Sequence, residues 1–232
     1  MRLRSGQSPV VAVDGPAAAG KGTLARRLAA HLGFAYLDTG LLYRAVAART
    51  LEHAGSTGSD AAADRLEVID DAIALQAALT LRPEDLARAD LRTESVAAAA
   101  SRVAAVAEVR SALLDFQRRF AEAPPAPSAG AVLDGRDIGT VVCPRADLKL
   151  FVTASLQVRA ARRLKELRDR GVEAIDSRVL RDMQERDARD SMRSVAPLEP
   201  AVDAVVIDTS ELGPDAVFAA AMAVWRASRP SG

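Results

Sequence analysis

"VVAVDGPAAAGKGT", from Val10 to Thr23, is the stretch that decides how this chain is to be read. "VVAVD" is a short β-branched run that stops at Gly15 and Pro16, the signature of a buried strand in a parallel sheet. "GTLARRLAAHLG" follows, with Leu24, Leu28 and Leu32 at helical spacing and Gly33 as a helix stop. Between strand and helix lies Gly15-x-x-x-x-Gly20-Lys21. Loops of this kind ordinarily place Ser or Thr directly after the lysine; here that position is Gly22, and Thr23 comes one place late. Glycines allow backbone N–H groups to converge on one centre, and the first helical turn adds unsatisfied N–H groups and the positive end of its dipole. Lys21 supplies a point charge for the terminal phosphates. The loop thus predicts a nucleoside triphosphate site made of Gly15, Pro16, Ala17, Ala18, Ala19, Gly20, Lys21, Gly22 and Thr23. The competing reading is a glycine turn in alanine-rich sequence, but the strand before it and the helix after it supply the context a phosphate loop requires.

Outward from this stretch the strand–helix beat continues. "FAYLDT" reads as a strand and "GLLYRAVAARTLEHAG" as a helix, which predicts an α/β fold with a doubly wound parallel sheet and helices on both faces. The beat breaks after the loop at Ser56 to Asp60. A helix around Leu66 to Ala74 and short strands in "AALTLRPEDL" and "ADLRT" suggest an inserted subdomain, residues 60–105. A helix from Glu108 to Phe120 leads through the proline-rich "AEAPPAPSAG" back to the sheet, with strands at "AVLDG", "LKLFVTA" and "AVVIDTS" completing five. Two arginine-rich helical stretches broken at Gly171 span residues 155–193, and "PDAVFAAAMAVWRAS" closes as an amphipathic helix. The expected organisation is a core of residues 10–59, 106–154 and 194–228, the insertion, the helical pair, and flexible ends at 1–9 and 229–232.

Composition narrows the partners. The 232-residue chain has a formal net charge of zero, which offers no electrostatic hold on long nucleic acid or on an anionic membrane. Lysine occurs only as Lys21, Lys149 and Lys165, so the one in the loop stands out. A single cysteine, Cys143, excludes an intramolecular disulfide and fits a reducing compartment; "TVVCPRA" reads as a buried structural thiol rather than a nucleophile. No signal peptide or membrane span is evident, so a cytoplasmic protein is expected, and a monomer, since no heptad or apolar stripe stands out.

The Gly-Lys-Gly-Thr order resembles the loop of nucleoside monophosphate kinases, which pass the γ-phosphoryl of ATP to the phosphate of a second nucleotide. Such an acceptor brings its own charge, and arginine forks suit it. Arg44 in "LDTGLLYR" and Arg136 in "LDGRDIG" follow predicted strands at the edge where ligands bind in doubly wound sheets. Together, "GPAAAGKGT", "LDTGLLYR", "LDGRDIGT" and "ERDARDSMRSVAPL" resemble the bacterial cytidylate kinases, in the family's order and from Val10 to about Trp225. That resemblance implies ATP-dependent phosphorylation of CMP and dCMP. It places Ser101, Arg110 and Asp137 against cytosine, Arg44, Arg136 and Arg193 on the acceptor phosphate, and Arg186 and Asp190 on the pentose hydroxyls. Thr39 stands where the family commonly has serine, with a hydroxyl able to make the same bond. Base chemistry agrees with the first group: a carboxylate accepts from cytosine N4, and a guanidinium donates to N3 and O2, a pattern that uracil reverses. The insertion departs from the family in the spacing of "EDLARADLRTES".

For the arginine-rich stretch, phosphoryl transfer needs positive charge and exclusion of water. The resemblance points to the same segment as a lid, with Arg159 and Arg162 toward ATP and Arg162, Arg189 and Arg193 joining Lys21 and Arg136 in catalysis. Arg168, Arg170, Arg178 and Arg181 read as a solvated face. Mg2+ arrives with ATP, with water-mediated contacts from Thr23 and Asp134; for Asp134 a turn-stabilising role beside Gly135 competes. His31 and His53 lie off the motifs. Two alternatives stay open at this point: a different acceptor, UMP or AMP, and an ATP-binding switch that transfers nothing.

Overall fold

A computed structural model describes residues 8–56, 69–193 and 195–228. Its centre is β1 (Val10–Asp14), buried along nearly its whole length. β1 pairs in parallel with β3 (Ala131–Gly135), Asp14 opposite Gly135, and on its other side with β4 (Leu148–Thr153), Asp14 opposite Phe151. With β2 (Ala35–Asp38) and β5 (Val205–Asp208) the five-stranded order is β2-β3-β1-β4-β5. All five strands expected from the sequence are present. Because the pairing is parallel and in step, the turns after β1 and β3 leave the sheet at the same edge.

The phosphate loop enters α1 (Lys21–Leu32) through Gly20 at φ 92°, and the helix stops at Gly33, whose left-handed φ of 67° lets its N–H reach the Ala29 carbonyl. Leu24 and Leu28 of α1 pack on Val11, Val13, Val132, Leu150 and Val152 of the sheet; Trp225 of α8 (Pro214–Ala227) joins them and meets Phe34 edge-on at 5.7 Å. A leucine buried as completely as Leu28 contributes on the order of 2 kcal/mol.

The described chain divides into two compact units, one formed by the segments up to Leu37 and from Arg118 onward, the other by Asp38–Gln117. The second is helical: α2 (Thr39–Ser56) packs on α3 (Asp71–Leu79) and α4 (Glu94–Val103), with Leu42, Val46, Leu91, Val103, Val109 and Leu113 as its core. Its last helix, α5 (Ala107–Glu122), runs on into the first unit.

Two local expectations change here. The helix expected at Leu66 to Ala74 is found at Asp71–Leu79, because Asp70 caps it by accepting from the N–H groups of Ala72 and Ile73; residues 66–68, like the loop at 57–60 and the ends at 1–7 and 229–232, lie outside the described residues. The strands expected in "AALTLRPEDL" and "ADLRT" are absent: Ala77, Ala78 and Leu79 end α3, and Pro83–Ala87 and Ala89–Arg92 are 3-10 turns. Pro83 has no N–H for a ladder, Asp85 takes the Arg82 N–H, and the Arg49 guanidinium takes the carbonyls of Ala77 and Thr80. These bonds occupy groups that a ladder to a neighbouring strand would need.

In the first unit, α6 (Leu156–Asp169) and α7 (Asp176–Ser191) pack through Ala160, Leu167, Val179 and Met183, joined by a turn through Gly171 at φ 73°. Among the described residues no helix is long and apolar enough to cross a membrane.

The tightest constraint in the fold is at Gly15, where a Cβ would stand 1.9 Å from the Val152 carbonyl oxygen of β4 and φ is already +146°. Gly15→Ala is expected to cost on the order of 3 kcal/mol or to abolish folding, read by urea denaturation followed by circular dichroism.

Candidate functional site

The loop after β1 explains its own unusual spelling. A Cβ at Gly22 would lie 2.9 Å from Asp134 Oδ2 and 3.8 Å from the Tyr36 hydroxyl. The space that Ser or Thr would need is filled by a carboxylate at the end of β3. Asp134 is buried and held from two sides: Lys21 Nζ lies 3.7 Å from Oδ1, and Tyr36 donates its hydroxyl to Oδ2 at 3.2 Å. The lysine of the loop and the carboxylate of the next strand thus form a pair, and glycine at 22 is what permits their approach.

The other oddity of the loop is Ala18, a non-glycine residue at φ 58°, a conformation costing about 1 kcal/mol. Ala17 and Ala18 pack against the apolar seam of α6 and α7, which supplies part of the compensation.

The turn after β3 carries Arg136 and Asp137 and then winds into a π-turn, Ile138–Val142. Two groups hold it. Asp14, the last residue of β1, accepts the N–H of Ile138 at 2.8 Å and of Gly139 at 2.7 Å. Arg118 takes the carbonyls of Val141 and Val142 at the far end. Burial pushes the Asp14 carboxyl up to about 7 against the pull of those two N–H groups, with the Asp137 and Asp134 charges adding to the rise. Cys143, which follows the turn, is half-buried rather than fully buried; desolvation pushes its thiol up to about 12, so it stays protonated and unreactive.

Arg136 reaches Asp190 of α7, Nε to Oδ2 at 2.9 Å, and Arg193 donates to Oδ1 of the same carboxylate. Burial pulls the Arg136 guanidinium down, but the charge and hydrogen bond of Asp190 outweigh it and hold it above its ordinary range. Burial likewise raises Asp190, yet Arg136, Arg193 and Arg186 together keep it below the usual carboxylate range. The structure therefore brings together four residues that the sequence reading assigned to two roles: Arg136 and Arg193 to the acceptor phosphate, Arg186 and Asp190 to the pentose.

The remaining arginines differ in setting. Arg159 is buried, its Nε donating to the Ala154 carbonyl and its fork to both oxygens of Asp187, with a longer contact of 3.4 Å to the Ala17 carbonyl. Arg162 donates to the hydroxyl and carbonyl of Thr209. Arg189 is exposed, 3.8 Å from Glu185. Arg163 and Arg170 both pair with Glu166, Arg163 half-buried and Arg170 on the exposed helix surface.

The second unit holds the other candidates. Thr39, buried, opens α2. Arg44 donates to the Leu91 carbonyl at 2.7 Å. Arg110, also buried, donates to the Ala104 carbonyl and lies over the Tyr43 ring at 5.6 Å, while Ser101 is buried on α4. The residues that the resemblance assigns to cytosine are thus divided, Ser101 and Arg110 on this unit and Asp137 on the first.

Asp14, Tyr36, Asp187 and Thr209 carried no assignment from the sequence. Asp14 and Thr209 had a usable signal: each is a polar residue ending or following an apolar strand at the edge where the loop emerges. Tyr36 and Asp187 had none, since their roles depend on what they face.

Two outcomes follow from this geometry. Gly22→Ser restores the common spelling but forces Asp134 to turn away from Lys21; Mg·ATP binding is expected to weaken about tenfold by calorimetry, with stability changed by about 1 kcal/mol or less. For Asp14, a carboxyl at about 7 in the folded chain against an ordinary 3.8 means that the folded state binds the proton more tightly. Its contribution to stability is present at low pH and lost as pH rises from about 4 through 7. Asp14→Asn lacks that loss, so its stability relative to wild type is expected to rise between pH 5 and pH 8 in paired denaturation curves.

With this geometry described, comparison with known proteins gives a consistent result. The family model described as cytidylate kinase matches residues 11–227. A cytidylate kinase of Paramagnetospirillum magneticum is 60% identical over 96% of this chain and 100% of its own length. Those of Rhodospirillum rubrum and Methylocella silvestris are 55% and 53% identical, over 92% and 96% of this chain and 95% and 96% of their own lengths. Identity at this level over nearly the whole chain, with the family model matching from residue 11 to 227, places the protein in the cytidylate kinase family.

Proposed function

We propose that the protein transfers the γ-phosphoryl group of Mg·ATP in line to CMP and dCMP, with the residues of the two units in the roles set out here. ATP-dependent phosphorylation of CMP is the activity of the family to which the chain belongs; the residue assignments are our reading. The observation that carries them is the buried cluster around Asp190. Three guanidiniums, Arg136, Arg186 and Arg193, act on one carboxylate, leaving positive charge suited to a second phosphate beside the one bound by the loop.

In this reading Gly15 to Thr23 bind the ATP phosphates, with Lys21 as the point charge, and Arg159 and Arg162 belong to the same half. Thr39, Arg44, Arg136 and Arg193 hold the acceptor phosphate, while Arg186 and Asp190 meet the pentose. Asp137, Arg110 and Ser101 read cytosine. The acceptor is already an anion at neutral pH, so no general base is needed, and catalysis is positioning and charge. Lys21, Arg136, Arg162, Arg189 and Arg193 balance the charge that spreads over the transferred group, and α6 and α7 exclude water. The hard oxygens of Asp134 and Thr23 fit Mg2+ through water, consistent with the Asp134 carboxylate lying against the loop at Gly22. Bound with ATP, the ion would supply neutralising charge for the phosphates. A cytoplasmic, monomeric enzyme belongs to the same reading, supported by its single cysteine and by a sequence without heptads.

ADP formation with CMP, dCMP, UMP and AMP offered singly tests it. Turnover is expected with CMP and dCMP at rates about 100-fold or more above UMP. Asp137→Ala is expected to lower kcat/KM for CMP by a similar factor while leaving the KM for ATP within twofold. Equal turnover of UMP would remove the account of base choice, and ATP hydrolysis indifferent to acceptor would remove the second site.

A further inference from the structure

A phosphate loop works only if its peptide planes are turned so that N–H groups face the ligand. In a trans peptide the carbonyl of one residue and the N–H of the next point opposite ways. Each N–H aimed at phosphate therefore leaves a carbonyl aimed into the protein, where it needs a donor. In the loop from Gly15 to Thr23, the Gly20 carbonyl is met by the Leu24 N–H as helix α1 begins. The Ala19 carbonyl has no such helical partner, and Ala19 is completely buried.

Its donor is Thr209, which follows β5 and is itself 2% exposed. The Thr209 hydroxyl lies 2.9 Å from the Ala19 carbonyl oxygen and 2.9 Å from Nη1 of Arg162. The direction of both bonds is forced by chemistry. A carbonyl only accepts and a guanidinium only donates, so the single hydroxyl proton goes to Ala19 and a lone pair receives Arg162. Nη2 of Arg162 closes the pair on the Thr209 carbonyl at 2.6 Å, and the Thr209 N–H bonds the Thr153 carbonyl of β4. One residue thus joins the loop, the end of the sheet and the first arginine-rich helix, the loop through its side chain alone.

We infer that Thr209 is a positioning residue of the phosphate site: its hydroxyl pins the Ala19 carbonyl inward, so that the Gly20 N–H points the opposite way toward the ATP phosphates, and it anchors Arg162 at the same point. Arg159 acts in the same sense on the Ala17–Ala18 peptide, two before it, through its longer contact with the Ala17 carbonyl, while Asp187 holds its fork. The loop needs this support because Ala18, between the two pinned carbonyls, is in a left-handed conformation that alanine disfavours. The inference rests on the reading of Gly15 to Thr23 as the ATP site and adds to it a residue, Thr209, that positions the loop without touching ATP.

The test is equilibrium calorimetry of Mg·ATP and of CMP, titrated separately into wild type, Thr209→Val and Thr209→Ser, with thermal unfolding of each. Val keeps the shape and removes the hydroxyl, leaving the Ala19 carbonyl without its donor. We expect Thr209→Val to weaken ATP binding about tenfold, to leave CMP binding within twofold, and to change Tm little. Thr209→Ser, which keeps the hydroxyl, is expected to restore most of the ATP affinity. The inference is overturned if Val binds ATP within twofold of wild type, if ATP and CMP weaken together as a general loss of structure would make them, or if Ser is no better than Val. Should Val fail to fold, Thr209→Ala, which is smaller and also lacks the hydroxyl, is judged by the same criteria. A wild-type protein that binds ATP but not CMP would remove the proposed acceptor and leave the ATP titrations to decide this point.

Discussion

The first unit is organised around a lack of room. β1 runs between β3 and β4, and where it ends the chain must pass the Val152 carbonyl on one side and the Asp134 carboxylate on the other. At Gly15 and Gly22 a side chain would stand 1.9 Å and 2.9 Å from those groups. Glycine at both positions lets the backbone close in. That approach brings Lys21 against Asp134, while Ala17 and Ala18 pack on the α6–α7 seam. Where the common spelling has a hydroxyl after the lysine, the space is filled by a carboxylate from the neighbouring strand.

Electrostatics builds the second half of the first unit's site by the same economy of space. A buried charge needs an answering charge or hydrogen bonds, and here Asp190 answers Arg136 and Arg193 while Asp187 answers Arg159. Both carboxylates are on α7, within one helical turn, so a single helix orders three guanidiniums. Asp14 has a different part. With no cation in contact it accepts two backbone N–H groups, tying the end of β1 to the turn that carries Arg136 and Asp137. Shifting that turn would move groups assigned to both the base and the phosphate of the acceptor.

Much of this was legible in the linear order of residues. The five strands were readable because each is a short apolar, β-branched run ended by a polar or glycine residue. The phosphate loop was readable because its chemistry is backbone chemistry and needs glycine at set positions. Arg136, Arg186, Asp190 and Arg193 could be named as candidates from their motifs, although nothing in the chain order says that one carboxylate holds two of the guanidiniums. The insertion was read less well. Its segments after Leu79 have strand-like alternation, but Pro83, Asp85 and Arg49 use up the local hydrogen bonds, and the chain turns instead of extending.

By itself, then, the sequence determined the strand–helix order, the position of the phosphate loop and the supply of arginines, because periodicity, glycine freedom and side-chain charge are properties of the residues themselves. The tertiary structure alone decided why position 22 is glycine, which carboxylate meets which guanidinium, and what holds the Ala17 and Ala19 carbonyls. Asp134 is more than a hundred residues from Gly22 along the chain, and Thr209 is 190 from Ala19. Contacts at such separations exist only because parallel pairing of β1 with β3 and β4, and of β4 with β5, brings the ends of those strands to one edge.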